Sequence, residues 1–185
     1  MNKKLLAQNL RRVPDYPKKG VVFFDVTTLF KEPECFKEVV DGMYELYKDK
    51  GITKVAGIES RGFIAGAALA ARLGAGFVAM RKPGKLPAET ISESYFKEYG
   101  SDTLEVHTGS ITPEDVVLVH DDILATGGTA AAAVRLAKRF HPRGVYLNFI
   151  IDITDVPRAE PVPENNVLEV TSLLRLRESD AGFIE

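Results

Sequence analysis

The spacing of apolar residues predicts helices and strands in alternation along the middle of the chain. Between Pro33 and Tyr47 the apolar positions fall on one face of a helix. Pro33 suits the first turn of that helix, and Gly51 follows its end. The other predicted elements are a strand at Val55–Ile58, a helix from Gly62 to about Leu73, strands at Gly76–Met80, Thr103–His107 and Val116–Val119, a helix from Ala130 to Phe140, and a strand at Val145–Ile151.

This order of elements predicts an α/β fold with a mostly parallel central sheet flanked by helices. The length, 185 residues, is typical of a single domain, which we place over residues 1–185. Ligands of such sheets bind beyond the carboxyl ends of the strands. Three polar loops follow predicted strands at that edge, after Ile58, after Met80 and after Val119.

Three segments do not fit the alternation. Residues 81–100 contain prolines, glycines and many charges without a clean period, and they predict a long lid loop of the kind that often carries function. The segments before Phe30 and after Ile153 also break the pattern. We expect them to cap the ligand-binding edge, with residues 1–30 forming a small hood.

The charge balance is nearly neutral, with 24 Lys and Arg against 26 Asp and Glu and a formal net charge of −2. A nucleic-acid-binding protein normally has a basic excess, so this balance argues against nucleic acid as a partner. The single cysteine, Cys35, excludes an internal disulfide and leaves no cysteine pair for a zinc or redox motif. The chain has no apolar run of roughly 18 residues, the length of a membrane helix, and residues 1–12 do not have the features of a secretory signal. We therefore expect a cytoplasmic protein without a membrane partner.

The most informative stretch runs from Val116 to Thr129, where a buried strand leads into two adjacent carboxylates, Asp121 and Asp122. A Thr-Gly-Gly-Thr loop then opens a helix. Glycines let successive backbone N–H groups point inward, and a helix N-terminus adds partial positive charge, so the loop suits a phosphate. The carboxylates would repel a phosphate, but they accept hydrogen bonds from the paired hydroxyls of a ribose. The stretch therefore predicts a ribose 5-phosphate site.

The alternative for the same stretch is structural, a strand that ends in aspartates before a helix capped by threonine. For the Asp-Asp pair alone that alternative would be preferred, whereas for the whole run we favour the ribose-phosphate interpretation. The chain contains neither GxxxxGK(S/T) nor GxGxxG, so it does not predict a Walker-type or dinucleotide site.

The run resembles the phosphoribosyl-pyrophosphate motif of the type I phosphoribosyltransferase family, and Ala125–Thr129 resembles the form found in members that use adenine. Three further regions resemble the same family in order and spacing. They are Pro14–Phe23, similar to the base-binding segment, Glu59–Phe63, similar to the pyrophosphate loop, and Arg81–Pro87 with Glu98–Gly100, similar to the mobile loop. The similar regions cover about residues 10–150.

The resemblance implies transfer of ribosyl 5-phosphate from phosphoribosyl pyrophosphate to a purine, with release of pyrophosphate. Asp121 and Asp122 would hold the ribose hydroxyls. The 5-phosphate would be bound by Ala125, Thr126, Gly127, Gly128 and Thr129, and the pyrophosphate by Ser60, Arg61, Arg81, Lys82, Lys85 and Tyr99. The family also implies Mg²⁺, held through the diphosphate rather than by protein ligands. It further implies a homodimer, in which the neighbouring subunit can supply a cation for the pyrophosphate.

For the base, the resemblance implies that backbone groups of Val22 read the purine edge and that Phe23 and Ile123 enclose the ring. Glu98 would assist proton movement at the purine. The catalytic residues expected on this basis are Glu98, Arg61, Asp121 and Asp122. Core packing is the alternative role for Phe23 and Ile123, and ordering of the lid is the alternative role for Glu98.

Two positions depart from the family pattern. Phe24 stands where many adenine-using members have an arginine, and it cannot donate a hydrogen bond to the base. His120 stands where an aliphatic residue is common, and we expect it to pack or hydrogen-bond behind the loop. The leading expectation is conversion of adenine and phosphoribosyl pyrophosphate to AMP and pyrophosphate. The alternatives are another purine, hypoxanthine or guanine, and a non-catalytic regulator that binds phosphoribosyl pyrophosphate.

Overall fold

Five helices and ten strands are present in the part of the chain that the computed structural model describes, residues 1–96, 100–160, 167–179 and 183–184. The helices are α1 (Lys3–Asn9), α2 (Thr27–Phe30), α3 (Pro33–Tyr47), α4 (Gly62–Leu73) and α5 (Gly128–Lys138). The strands are β1 (Arg11–Pro14), β2 (Val22–Asp25), β3 (Lys54–Ile58), β4 (Gly76–Met80), β5 (Thr90–Phe96), β6 (Ser101–His107), β7 (Val116–Leu124), β8 (Gly144–Ile153), β9 (Val170–Leu176) and β10 (Phe183–Ile184).

Six of these strands form the central sheet, in the spatial order β10–β9–β8–β7–β3–β4. The five strands from β9 to β4 run parallel, and β10 pairs antiparallel with β9 at one edge. Strand β7 lies between β3 and β8, so its carboxyl end is near the middle of the ligand-binding edge. This topology confirms the predicted α/β class and the mostly parallel sheet flanked by helices.

The central sheet is buried on both faces, as expected for parallel strands. On β7, Val117 and Val119 pack on the face covered by α5 and by the β5–β6 hairpin, whereas Leu118 packs on the face covered by α3 and α4. Each such side chain stabilises the fold by roughly 1.5–3 kcal/mol relative to an exposed one. The two cores hold β7 in position, and the residues that follow along this strand form the candidate site.

The predicted and observed bounds agree most closely where local signals are strong. The helix Pro33–Tyr47 and the strand Gly76–Met80 have the bounds that the pattern predicts. Helix α4 ends before Gly74, whose φ of 69° is a left-handed conformation that favours glycine. Helix α5 begins at Gly128, two residues before the predicted start at Ala130.

Pairing between strands corrects two predictions about the segments that carry candidate site residues. The prediction that residues 81–100 form a loop without regular structure is wrong, because Thr90–Phe96 pairs antiparallel with β6 along its length. The aspartate pair does not follow the strand, which was predicted to end at Val119, but lies within it. Strand β7 continues to Leu124 because its backbone remains paired with β8 as far as Asp152.

The two ends of the chain differ in how they join the fold. Strands β1 and β2 form a separate antiparallel pair, with Val13 opposite Phe23. Strand β9, by contrast, is a member of the central sheet, parallel to β8. The segment after Ile153 therefore extends the sheet rather than only capping its edge.

Candidate active site

The start of α4 lies directly against the end of β7, and a glycine makes this approach possible. A Cβ atom on Gly62 would lie 2.8 Å from the carbonyl oxygen of His120 and 3.1 Å from Oδ1 of Asp121. Both distances are too short for ordinary contacts. The absence of a side chain at Gly62 therefore brings Arg61, the residue before it, beside the two aspartates.

Arg61 and Asp122 form an ion pair in which the guanidinium Nε donates to the carboxylate. The Asp122 side chain is only 6% exposed, whereas the Arg61 side chain is 34% exposed. The backbone N–H of Asp122 donates to Oδ1 of Asp121 over 2.9 Å. The predicted ribose-binding carboxylates and the predicted pyrophosphate-binding arginine are thus in direct contact.

Burial and a neighbouring charge change the pKa of Asp121. Loss of water around the Asp121 carboxyl raises its pKa well above the usual range, and the charge of Asp122 raises it further. The Arg61 guanidinium opposes this rise in pKa. Protonation of Asp121 is therefore easier than that of an ordinary aspartate, which reduces the negative charge that a nearby diphosphate would meet.

The loop between β7 and α5 has the backbone geometry that its sequence predicts. Gly127 has a φ of 87°, and a Cβ atom there would lie 2.3 Å from the carbonyl oxygen of Glu160. Both the left-handed conformation and this close approach require glycine. Helix α5 begins at the next residue, Gly128, so the free N–H groups of its first turn lie beside the loop.

On the predicted base-binding segment, Phe23 is an aromatic residue that lies beside the aspartate site. Its ring centroid is 5.1 Å from the guanidinium carbon of Arg61, and Tyr16 packs edge-on against it at 5.2 Å. Val22 and Ile123 are both partly buried against the core that contains α3 and α4. The structure thus brings Phe23 next to Arg61, and it holds Ile123 on the strand that carries the aspartates.

Phe24 does not face this site. It is 1% exposed and belongs to the hydrophobic core, on the opposite side of β2 from Phe23. The guanidinium carbon of Arg12 lies 5.7 Å from the centroid of the Phe24 ring. The side chain that departs from the family pattern is therefore directed away from Phe23, the predicted base-binding residue.

Two of the predicted cationic residues in the segment 81–100, Arg81 and Lys82, are engaged with carboxylates. Arg81 binds Glu59 through two hydrogen bonds of 3.1 and 3.2 Å, and the backbone N–H of Lys82 donates to the same carboxylate over 2.9 Å. The Arg81 hydrogen bonds hold the pKa of Glu59 below its usual range. The Lys82 ammonium binds the Asp102 carboxylate and the Tyr95 hydroxyl.

The remaining predicted pyrophosphate and lid residues are placed differently. Ser60 and Lys85 are exposed, and the backbone carbonyl of Lys85 accepts a hydrogen bond of 3.0 Å from Arg81. Glu98 and Tyr99 lie outside the described residues, so their predicted roles stay predictions.

His120 packs behind the site, as expected. It is fully buried, and its Nδ1 lies 2.9 Å from Oδ1 of Asn148. Burial lowers the pKa of His120 to about 4, so the ring is neutral near neutral pH. A ring held in this way does not serve as a general base for the ligand.

The structure adds residues that the sequence analysis did not single out. Glu59 organises Arg81 and Lys82, and Arg158 and Glu160 contact the loop that precedes α5. Glu59 was visible as the first residue of the predicted pyrophosphate loop. Arg158 and Glu160 carry no local sequence signal, because their contacts join segments that are about 30 residues apart.

Among the described residues, no three His, Cys, Asp or Glu side chains cluster in a way that could hold a metal ion. No helix among them is both long enough and apolar enough to cross a membrane.

Residues 25–183 match the family model of the phosphoribosyl transferase domain, and the chain belongs to this family. It is 57% identical over 176 residues to the adenine phosphoribosyltransferase of Phocaeicola vulgatus, which covers 95% of this chain and all of that protein. The crystal structure of adenine phosphoribosyltransferase from Rhodothermus marinus matches with a TM-score of 0.86 at 45% identity, over 94% of this chain and 97% of that one. The Giardia lamblia enzyme complexed with 9-deazaadenine matches with a TM-score of 0.85 at 37% identity, over 95% and 98% of the two chains.

Proposed function

We propose that this protein transfers ribose 5-phosphate from phosphoribosyl pyrophosphate to adenine, which forms AMP and releases pyrophosphate. The observation that carries the proposal is the contact of Arg61 with both Asp122 and Phe23, which puts the predicted pyrophosphate, ribose and base groups side by side. The relatives support adenine as the base, since those similar over nearly the whole chain are adenine phosphoribosyltransferases.

At the ribose-phosphate end, Asp121 and Asp122 accept hydrogen bonds from the two ribose hydroxyls. The N–H groups of residues 125–129 and the hydroxyls of Thr126 and Thr129 donate to the 5-phosphate. Hydrogen bonds to a charged group of this kind contribute roughly 1.5–3 kcal/mol each. These contacts hold the anomeric carbon at a defined place while the bond to pyrophosphate breaks.

At the leaving-group end, Arg61 and Ser60 bind pyrophosphate together with Arg81, Lys82, Lys85 and Tyr99. Arg61, Arg81 and Lys82 are each paired with a carboxylate, so they exchange that partner for the diphosphate when it binds. Positive charge at this place stabilises the negative charge that develops on the leaving group. We propose that residues 81–100 act as the lid that excludes water, the competing nucleophile.

Mg²⁺ fits this donor set when the diphosphate supplies most of its ligands. The Asp122 carboxylate is already bonded to Arg61, and the Glu59 carboxylate to Arg81 and the backbone N–H of Lys82. Mg²⁺ commonly retains water and binds through substrate phosphates. When bound, it would add positive charge to the diphosphate.

For the base, we propose that Val22 backbone groups bind the purine edge, that Phe23 and Ile123 contact its faces, and that Glu98 assists proton movement. The half-buried position of Phe23 beside Arg61 supports this arrangement. Because Phe24 is directed into the core, it offers no reason to prefer hypoxanthine or guanine. A homodimer and a cytoplasmic location stay predictions.

The experiment that tests the function measures pyrophosphate release with Mg²⁺ and phosphoribosyl pyrophosphate, using adenine, hypoxanthine, guanine and xanthine separately. We expect release and AMP formation with adenine alone. Release with a different base would overturn the adenine assignment while keeping the ribosyl chemistry. Binding of phosphoribosyl pyrophosphate without release would favour the non-catalytic regulator.

A further inference from the structure

A short segment after β8 lies along the carbonyl side of the predicted phosphate loop. We call residues 158–160 the strap. The Arg158 guanidinium donates to the carbonyl oxygen of Ala125, and the backbone N–H of Glu160 donates to the carbonyl oxygen of Thr126 over 3.3 Å. The Glu160 carbonyl occupies the space where Gly127 would otherwise carry a Cβ atom. Three consecutive loop residues are thus in contact with the strap.

These contacts set the direction of two peptide groups. In a planar trans peptide the C=O and the following N–H point in opposite directions. Holding the carbonyls of Ala125 and Thr126 against the strap therefore turns the N–H groups of Thr126 and Gly127 to the other side of the loop. That is the arrangement that an anion requires, because outward carbonyl dipoles would repel it.

The strap is anchored at both ends by ion pairs. Arg158 also binds the Asp152 carboxylate at the end of β8, and the Glu160 carboxylate binds Arg135 of α5. Arg135 in turn donates to Glu93 of β5 over 2.6 Å. The strap is therefore tied to the strand before it and to the helix that begins at the phosphate loop.

We infer that Arg158 is a positioning residue for the 5-phosphate. It acts through the Ala125 carbonyl and does not contact the substrate, and the inference rests on the proposed function. Arg158 is suited to this position because its planar guanidinium donates to Ala125 and Asp152 at the same time, which a lysine ammonium does less well.

The chain offers a matched control for this residue. Arg175 also approaches Asp152, at 3.6 Å, from a side chain that is 61% exposed. Within the described parts of the chain, the Arg175 side chain contacts Asp152 and not the phosphate loop. Arg175→Ala thus removes a cation from the same carboxylate and leaves the strap contact with Ala125 in place.

The experiment compares Arg158→Ala, Arg158→Lys and Arg175→Ala with the wild-type protein. It measures KM for phosphoribosyl pyrophosphate, KM for adenine, kcat, and the Kd of ribose 5-phosphate by calorimetry. For Arg158→Ala we expect KM for phosphoribosyl pyrophosphate and the Kd of ribose 5-phosphate to rise about tenfold or more, with KM for adenine within about twofold. Arg158→Lys should recover part of the loss, and Arg175→Ala should match the wild type.

Three outcomes would overturn the inference. The first is an unchanged Kd for ribose 5-phosphate in Arg158→Ala, and the second is an equal rise in KM for both substrates, which indicates general disruption. If Arg158→Ala does not fold, Arg158→Lys carries the test, and wild-type ribose 5-phosphate affinity in that variant counts against the inference. The third outcome is that the wild-type protein neither binds ribose 5-phosphate nor forms AMP, which would overturn the proposed function and this inference together. AMP formation by the wild-type protein distinguishes the first two outcomes from this one.

Discussion

The two sides of the candidate site that are predicted to bind anions are built from different parts of the chain. The predicted phosphate side consists mainly of backbone, together with two threonine hydroxyls, with buried Gly127 and Gly128 and with carbonyls already bonded to the strap. The pyrophosphate side consists of cationic side chains, and the Arg61, Arg81 and Lys82 side chains are 34%, 31% and 34% exposed and paired with carboxylates. The first side is organised before a ligand arrives, whereas the second requires each cation to change partners.

This difference fits the roles proposed for the two sides. The 5-phosphate remains attached to the ribose throughout the reaction, so a fixed backbone site serves it well. Pyrophosphate is formed and then leaves, so binding groups with alternative protein partners can release it without leaving bare charges behind. Substitutions on the two sides should therefore have different consequences.

The largest effect is expected from Gly127→Ala on the phosphate side. The added Cβ would meet the Glu160 carbonyl at 2.3 Å and would force a side chain into a φ of 87°. We expect kcat/KM for phosphoribosyl pyrophosphate to fall about a thousandfold, since a misplaced donor set loses several charge-assisted hydrogen bonds. Steady-state kinetics provides the measurement.

Gly51→Ala is the matched control for this substitution. Gly51 also has a positive φ, 67°, but nothing lies within 4 Å of its hypothetical Cβ. It should lose roughly 1–2 kcal/mol of stability from the left-handed conformation without a change in kcat/KM. Equal kinetic losses in the two glycine variants would contradict the idea of a pre-organised phosphate loop.

The next effect concerns Arg61, which contacts both Asp122 and the ring of Phe23. Arg61→Ala removes a cation from the leaving group and leaves Asp122 buried without its ion-pair partner. We expect kcat/KM to fall by about 10²–10³, the range seen when one donor to a developing oxyanion is lost. Adding Asp122→Asn should restore part of the lost stability but none of the activity.

The control for Arg61 lies at the other end of the same helix. Arg72 binds Asp41 over 2.7 Å and lies over the Tyr44 ring at 4.7 Å, away from the site. Arg72→Ala should leave kcat/KM within about twofold of the wild type, as expected for a half-exposed ion pair. A comparable loss in both arginine variants would indicate that α4 stability, rather than charge at the site, governs activity.

A smaller effect, a gain in pyrophosphate affinity instead of a loss of activity, is expected from substitution of Glu59, the carboxylate that competes with pyrophosphate for Arg81. Glu59→Gln weakens two charge-assisted hydrogen bonds and removes a negative charge beside the leaving group. Calorimetry should show a pyrophosphate Kd that is about three to ten times lower than in the wild type.

Glu105→Gln is the matched control, because Glu105 accepts a hydrogen bond of 3.1 Å from the N–H of Gly84 in the same loop without binding Arg81 through its side chain. Its pyrophosphate Kd should not change. If Glu59→Gln raised the Kd instead, partner exchange would not describe the pyrophosphate side, and Glu59 would act by positioning Arg81.

The smallest effect on activity is expected for His120, which is fully buried between β7 and α4. Its pKa is lowered from 6.5 to about 4 by burial, so near neutral pH it does not titrate in the folded state. As the pH falls, His120 is protonated in the unfolded chain before it is protonated in the folded protein. The free energy of unfolding therefore decreases as the pH drops from 6.5, and it levels off below about pH 4. Urea unfolding at pH 5.5 should give a free energy of unfolding that is about 1.4 kcal/mol lower than the value well above the unfolded-state pKa.

His120→Gln should remove this pH-dependent loss of stability, and His141→Gln, at an exposed histidine, should retain it. The pH profile of kcat should show no ionisation that disappears with His120. A kinetic pKa that does disappear in His120→Gln would assign the ring a catalytic role and contradict its neutral, structural placement.

Local patterns predicted much of this molecule. The helix Pro33–Tyr47, the strand Gly76–Met80 and the left-handed turn at Gly127 directly before α5 have the positions that periodicity and glycine chemistry indicate. The reason is that helix periodicity, caps and left-handed glycines depend on neighbours a few residues apart. The aspartate pair was likewise visible, because two carboxylates beside such a loop are distinctive in the sequence itself.

Tertiary structure decided what depends on distant pairing. Strand β5 exists because β6 pairs with it, and β7 continues through the aspartates because β8 accompanies it. The burial of Phe24 follows from the side of β2 that meets the core, and the contact of Arg158 with Ala125 joins residues whose local sequences hold no sign of each other. The sequence by itself therefore determined the binding motifs and most elements, whereas strand extent and the partners of the charged side chains depended on packing between segments far apart in the chain.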